Sequence, residues 1–234
     1  MANKEPAYEK AARAKAARKR AAEIQAARLK TSERAVAKGR FIVIEGSGGK
    51  ALAMAAKRLQ KSVRRRGNPA GVSPWDASGI FYEILDGPRE VAGATPRTVL
   101  LLYAADLAFR LRWQILPALE DGATVIAAPY VDAGIAFGRA MGISQTWLHE
   151  LFSFAPVPHA SYRVEEENIP SLQRGKPAEN FLEFAFLHLR RSAGRWPTEE
   201  IRTQFLAYLK NREARGNCKL LTAEVLQALA AAGK

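Results

Sequence analysis

Cysteine is nearly absent from this chain: one thiol, Cys218, in 234 residues, which excludes a disulfide framework and a Cys-rich zinc site. Histidine is scarce too. His149, His159 and His188 stand far apart and form no i, i+4 metal-ligand pair, so no metal site is expected. No run of 18 apolar residues occurs, so no transmembrane span is expected. The first residues hold no apolar stretch of the kind a secretory signal needs. A cytoplasmic protein is expected, in a bacterial cytosol, with an organelle matrix as the alternative. Acidic residues are the other shortage, 23 against 36 Lys and Arg.

The resulting net charge of +13 is uneven: residues 1–40 hold twelve basic and four acidic side chains and so carry +8. The rest of the chain is mildly basic, and 48% apolar residues suffice for a sizeable core. Residues 5–38 are rich in Ala, Lys and Arg, with no Gly and no Pro after Pro6, a composition that predicts a long helix. Its larger apolar groups are few, Tyr8, Ile24, Leu29 and Val36, so it has little to bury. A transit peptide has a similar bias, but Glu5, Glu9, Glu23 and Glu33 argue against one. The expected division is a basic helical extension at 1–39 and one domain at 40–234. A cationic rod suits a polyanion, either nucleic acid (ribosomal RNA included) or an acidic protein assembly, and a solvated tail is the bland alternative. The candidate contacts are Lys10, Arg13, Lys15, Arg18, Lys19, Arg20, Arg28, Lys30 and Arg34.

After Gly39, residues 41–44 (Phe-Ile-Val-Ile) read as a buried parallel strand. The turn Gly46-Ser47-Gly48-Gly49-Lys50 follows, then a helix over 50–66 with Leu52, Ala55, Ala56, Leu59 and Val63 at helical spacing. Further strands are expected near 70–73, 124–128 and 161–164, and 219–222 is either a last strand or a cap leading into the final helix. Helices are expected at 81–85, 98–119, 133–141, 144–154, 179–191, 198–210 and 223–232. Alternating strands and helices predict an α/β fold with a parallel sheet flanked by helices in three layers.

A strand, Gly-rich turn, Lys and helix are the frame of a P-loop, whose amides cradle phosphates and whose Ser or Thr after the Lys holds magnesium. Here the turn is two residues short and Ala51 stands at the hydroxyl position. Lys50 either binds an anion at the helix start or faces solvent. Asp132 either caps a helix starting near Ala133 or remains from a polar site. Arg64, Arg65 and Arg66 either extend a basic patch or form a solvated helix end.

Residues 40–167 resemble thymidylate kinase, the P-loop nucleoside monophosphate kinase that phosphorylates dTMP with ATP. The likeness rests on Gly39-Arg40-Phe41-Ile42-Val43-Ile44-Glu45-Gly46, on Leu100-Leu101-Leu102-Tyr103-Ala104-Ala105-Asp106, on Ile115-Leu116-Pro117-Ala118-Leu119-Glu120-Asp121-Gly122, and on Tyr130-Val131-Asp132 with Ala136-Phe137. The chemistry the resemblance implies is not matched. The family's Arg-Glu-Pro-Gly-Gly-Thr acceptor loop is replaced by Ser73-Pro74-Trp75-Asp76-Ala77-Ser78, its Asp-Arg pair by Ala128-Pro129, and its Arg after the central Ala-Ala-Asp by Leu107. The expectation is a catalytically inactive relative with a degenerate phosphate loop, needing no cofactor and acting as a scaffold or binding module. Two alternatives stay open: a divergent dTMP kinase using ATP and magnesium, with Lys50, Asp106, Asp132 and Arg139 as a residual site, and a nucleotide sensor without turnover. The resemblance also implies a homodimer through the helix at 98–119.

Overall fold

The computed structural model describes residues 33–86, 94–164, 180–185 and 198–231, together with residues 15, 16, 19, 23 and 30. Most of the expected arm, and the second half of the helix expected at 179–191, lie outside the described residues.

Five parallel strands form one sheet: β1 (Arg40–Glu45), β2 (Ala70–Pro74), β3 (Thr124–Ala128), β4 (Ala160–Arg163) and β5 (Lys219–Leu220), in the spatial order β2-β3-β1-β4-β5. The two strands with continuous apolar runs, β1 and β3, lie side by side near the middle, with Phe41 opposite Val125 and Ile42 opposite Ile126. That is what burial on both faces demands of such runs. β2 pairs with β3, β4 with β1 and β5 with β4, all parallel.

Side chains alternate across β1 and β3 and so feed two cores. Phe41, Val43, Val125 and Ala127 face one side, where α3 (Pro96–Arg110), α5 (Val131–Ala140) and α7 (Thr198–Ala214) pack. Ile42, Ile44, Ile126 and Ala128 face the other, where α1 (Gly49–Arg64) and α8 (Ala223–Ala231) pack. Each fully buried side chain of this kind contributes about 1.5–3 kcal/mol. The remaining helices are α2 (Ile80–Asp86), α4 (Leu116–Glu120) and α6 (Gln145–Leu151).

The helix expected at 98–119 differs from a uniform one. It begins at Pro96, with the Thr95 hydroxyl accepting from the Thr98 amide, and its middle widens into a π-turn at Leu111–Ile115. Pro117 offers no N–H to the carbonyl four residues earlier, and its ring crowds that carbonyl. The Leu116 amide bonds to the Leu111 carbonyl five residues back.

The last turn of the N-terminal segment, residues 33–38, is helical and seated on the body, with Ala35 fully buried in the α3 core. Gly39 then threads between helix and strand: a Cβ there would lie 2.6 Å from the Ala123 carbonyl oxygen and 2.8 Å from the Leu119 backbone. Backbone cannot move aside as a side chain can. Gly39→Ala is therefore expected to destabilise the fold by ~1–3 kcal/mol, read as a lower urea midpoint at unchanged slope.

Candidate functional site

Strands β1 and β3 are neighbours whose following helices leave to opposite faces, α1 to one and α5 to the other. The crevice beyond their carboxyl ends is where an open parallel sheet places its ligands. The Gly-rich turn lies there. Residues 46–48 connect β1 directly to α1, which starts at Gly49 with Gly48 as its N-cap. Residues 46–49 are buried and Lys50 is exposed. Asn180 donates from its side-chain amide to the Ser47 carbonyl and so seals one side of the turn. Asn180 is itself 2% exposed and caps the helical residues 181–185 by accepting from the Glu183 amide.

Next to the turn, a cavity of about 260 Å³ runs from α1 to the ends of β2 and β3. Its wall is made by Gly49, Leu52, Val72, Pro74, Trp75, Ala128 and Pro129, with Lys57, Gln60 and Asn180 as the polar lining. Among the described residues that line it there is no carboxylate and no hydroxyl. Magnesium requires hard oxygen ligands, above all carboxylates, so these residues do not fit a magnesium ion.

The segment after β2 is held in place by its own bonds. The Asp106 carboxylate, fully buried, accepts from the amides of Asp76 (3.1 Å) and Ser78 (3.0 Å) and from the Ser78 hydroxyl (2.9 Å). Asp76, at φ 53°, accepts from the amides of Phe81 and Tyr82 and starts α2. Trp75 then packs on Phe81 and Phe184, with ring centres 5.0 and 6.2 Å apart. Phe81 meets Phe184 at 4.6 Å, and Tyr103 meets Phe181 at 4.1 Å. The helical residues 181–185 thus fill the space between α2, α3 and α5 with aromatic rings.

Arg110 is the hidden cation of the site, fully buried at the end of α3. Its Nε donates to the Ser73 hydroxyl (3.0 Å), and its Nη2 donates to the carbonyls of Ser73 (2.7 Å) and Pro129 (2.9 Å). Its Nη1 makes no hydrogen bond and stands 3.9 Å from Asp106. Sequence reasoning missed it, although a charged residue on the apolar face of α3, one helical repeat from Tyr103, was its signal.

Glu45 was missed as well. It is 1% exposed, and its carboxyl accepts from the amides of Tyr130 (3.2 Å) and Asp132 (3.1 Å). Burial, then the Asp132 charge, push it up to about 8 against the opposing effect of these amides and Arg110. Asp132 sits in the first turn of α5, whose N-cap is Tyr130 without a side-chain bond. The helix starts earlier than expected, so Asp132 is no cap; it pairs with Arg212 at 3.1 Å and accepts from the Tyr208 hydroxyl.

Asp106, Asp132 and Arg139 are therefore not brought together. Asp106 holds the 76–78 segment and Asp132 holds α7. Arg139 lies on the outer side of α5, over the Tyr208 ring at 5.5 Å and donating to Gln145. Of the arm's candidate contacts, Lys15, Lys19, Lys30 and Arg34 are helical and exposed, while Lys10, Arg13, Arg18, Arg20 and Arg28 lie outside the described residues.

The Glu45 shift predicts a pH response. Its folded value is raised above the ordinary 4.5, so its contribution is full below that value and is lost as pH rises towards about 8. Glu45→Gln, which stays neutral and can still accept the two amides, is expected to remove most of a ~1–3 kcal/mol decline in stability between about pH 5 and about pH 8. Unfolding titrations of both proteins across that window are the check.

No protein-family model matches the chain. Comparison with curated proteins does find relatives. The probable thymidylate kinase of Pyrococcus abyssi is 31% identical over 157 residues, covering 63% of this chain and 75% of that protein. The thymidylate kinase of Rhizorhabdus wittichii is 28% identical over 215 residues, covering 82% and 97%. That of Geobacillus thermodenitrificans is 34% identical over 119 residues, covering 47% and 51%. With the five-stranded parallel sheet and the turn at the end of β1, these likenesses decide the matter: the chain belongs to the thymidylate kinase family.

Proposed function

We propose that this family member is catalytically inactive and works as a binding module, docking on nucleic acid through its basic N-terminal segment. The observation that carries the first half is the apolar wall of the cavity between α1 and the ends of β2 and β3, where Val72, Pro74, Trp75, Ala128 and Pro129 stand. Phosphoryl transfer depends on positioned cations and metal aimed at a charged transition state, and loss of one such group costs ~10²–10⁵ in rate. An apolar, metal-unfriendly wall removes several at once. The buried cation nearby, Arg110, is turned to the carbonyls of Ser73 and Pro129.

The second half is supported by charge. The +8 of residues 1–40 greatly exceeds what a segment with so few large apolar groups needs for packing. The described positions of its first thirty residues, Lys15, Ala16, Lys19, Glu23 and Lys30, are helical and exposed. A homodimer through α3 and the π-turn after it has its own support in the exposed apolar side chains Leu101 (53%), Phe109 (38%) and Trp113 (61%), spaced eight and four residues apart.

Three outcomes are expected. A coupled assay for ADP release with ATP, magnesium and dTMP should stay at background, also for Ala51→Ser, and calorimetry should find no micromolar ATP binding; either activity or such binding overturns the inactive reading. Replacing Lys10, Arg13, Lys15, Arg18, Lys19 and Arg20 by Gln in the full chain should weaken RNA binding and flatten its salt dependence by about 0.7 for each phosphate no longer neutralised. A shallow salt slope with fixed stoichiometry towards an acidic protein would instead favour a protein partner. Trp113→Glu should convert a sedimenting dimer to a monomer.

A further inference from the structure

We propose that the groove between α5, α6 and α7 binds the phosphate backbone of a single-stranded nucleic acid. This site deepens the nucleic-acid reading of the arm, on which it rests, by adding a binding surface on the folded body. The groove has a volume of about 490 Å³ and lies on the outer side of α5, away from the cavity at the sheet end. Three guanidinium groups line it, Arg139, Arg212 and Arg215, and among the described lining residues there is no carboxylate.

The three cations are not equivalent. Arg212 spends its charge on Asp132, at 3.1 Å. Arg139 and Arg215 make no ion pair among the described residues, and both are exposed. Arg139 is nonetheless held: its guanidinium carbon lies 5.5 Å from the centre of the Tyr208 ring and its Nη1 donates to Gln145 Oε1 at 3.2 Å, while the Gln145 amide nitrogen meets His149 Nε2 at 3.2 Å. A guanidinium held by a ring and one hydrogen bond keeps further N–H groups for a phosphate, and it loses less rotamer freedom on meeting one. Arg215 stands in the same groove, just past the end of α7 and about two helical turns on from Tyr208.

The rest of the lining chooses the ligand class. Gln204 and Asn211 are exposed amides on α7 that both donate and accept, as base edges and ribose hydroxyls require. A groove of about 490 Å³ has room for unstacked bases beside the backbone, which a single strand offers and a duplex keeps stacked inside.

The experiment is fluorescence anisotropy of a labelled oligouridylate of about twelve nucleotides with the full-length protein, from about 50 to about 200 mM salt. Arg139→Gln with Arg215→Gln should weaken binding about tenfold and lower the log–log salt slope by about 1.4, and Arg139→Lys with Arg215→Lys should recover most of both. Arg58→Gln with Lys61→Gln, at exposed positions on α1 that the groove does not include, should stay within about twofold of the unmodified protein. Should the groove variant unfold early, Arg215→Gln alone, at an exposed position, should still lower the slope by about 0.7. Unchanged affinity and slope in the groove variants overturn the proposal, as does an equal loss in the α1 control or no binding by the unmodified chain at low salt. If the arm variant described above binds normally and the groove variant does not, the arm reading fails and the groove stands; the reverse result keeps the arm and removes the groove.

Discussion

One buried guanidinium holds the ligand end of the sheet together. Arg110 reaches from α3 to the last residues of β2 and to the turn after β3, bonding Ser73 and the Pro129 carbonyl. Asp106, one turn earlier on the same helix, receives the amides of the segment after Ser73. The two side chains lie 3.9 Å apart and are both fully buried, so each lowers the cost of burying the other. Removing Arg110 would leave Asp106 as an uncompensated buried charge and three acceptors short of a donor. The positions of both loops therefore hang on this pairing.

That arrangement also supports the apolar packing beside the crevice. With the 75–79 segment tied down from below, Trp75 is held over Phe81 and Phe184. The helical residues 181–185 close the other side, with Phe181 and Phe184 each 1% exposed and Asn180 latched to the turn at Ser47. Phosphate and metal sites are costly to keep, because unpaired buried donors and charges must wait for a ligand. Rings and prolines carry no such cost. The two cores on either side of the sheet are built from β1, β3 and their covering helices, so the fold keeps its support whatever the loops beyond the strand ends contain.

Much of this was legible in the chain itself. The apolar runs at 41–44 and 124–128 announced the central strands, since only burial on both faces accommodates such runs. The Gly-rich turn after the first strand announced the link from β1 to α1, which residues 46–48 make directly. What stayed hidden were single charged residues whose partners come from distant segments. Glu45 looks like the polar end of a strand, yet its partners are amides 85 and 87 residues away. Arg110 looks like a basic residue closing a helix, yet it bonds Ser73, 37 residues back. Asp132 resembled a cap because acids favour helix starts, and its bond to Arg212 depends on α7 crossing α5, which no local pattern encodes. The π-turn was hidden for another reason: its trigger, Pro117, sits after the distortion it accompanies.

Charge is distributed in the opposite sense outside and inside. Inside, the one fully buried guanidinium among the described residues is spent on the protein, Arg110 on carbonyls and beside Asp106, and the half-buried Arg212 is likewise paired with Asp132. Outside, the exposed Lys15, Lys19, Lys30 and Arg34 are joined by the guanidiniums of Arg139 on α5 and Arg215 just past α7, which form no ion pair among the described residues. Unpaired surface cations raise self-repulsion and do not strengthen a fold. An interior whose charges are paired and a surface whose cations are not differ in what they contribute: the paired charges hold the rigid body, and the unpaired cations add nothing to it.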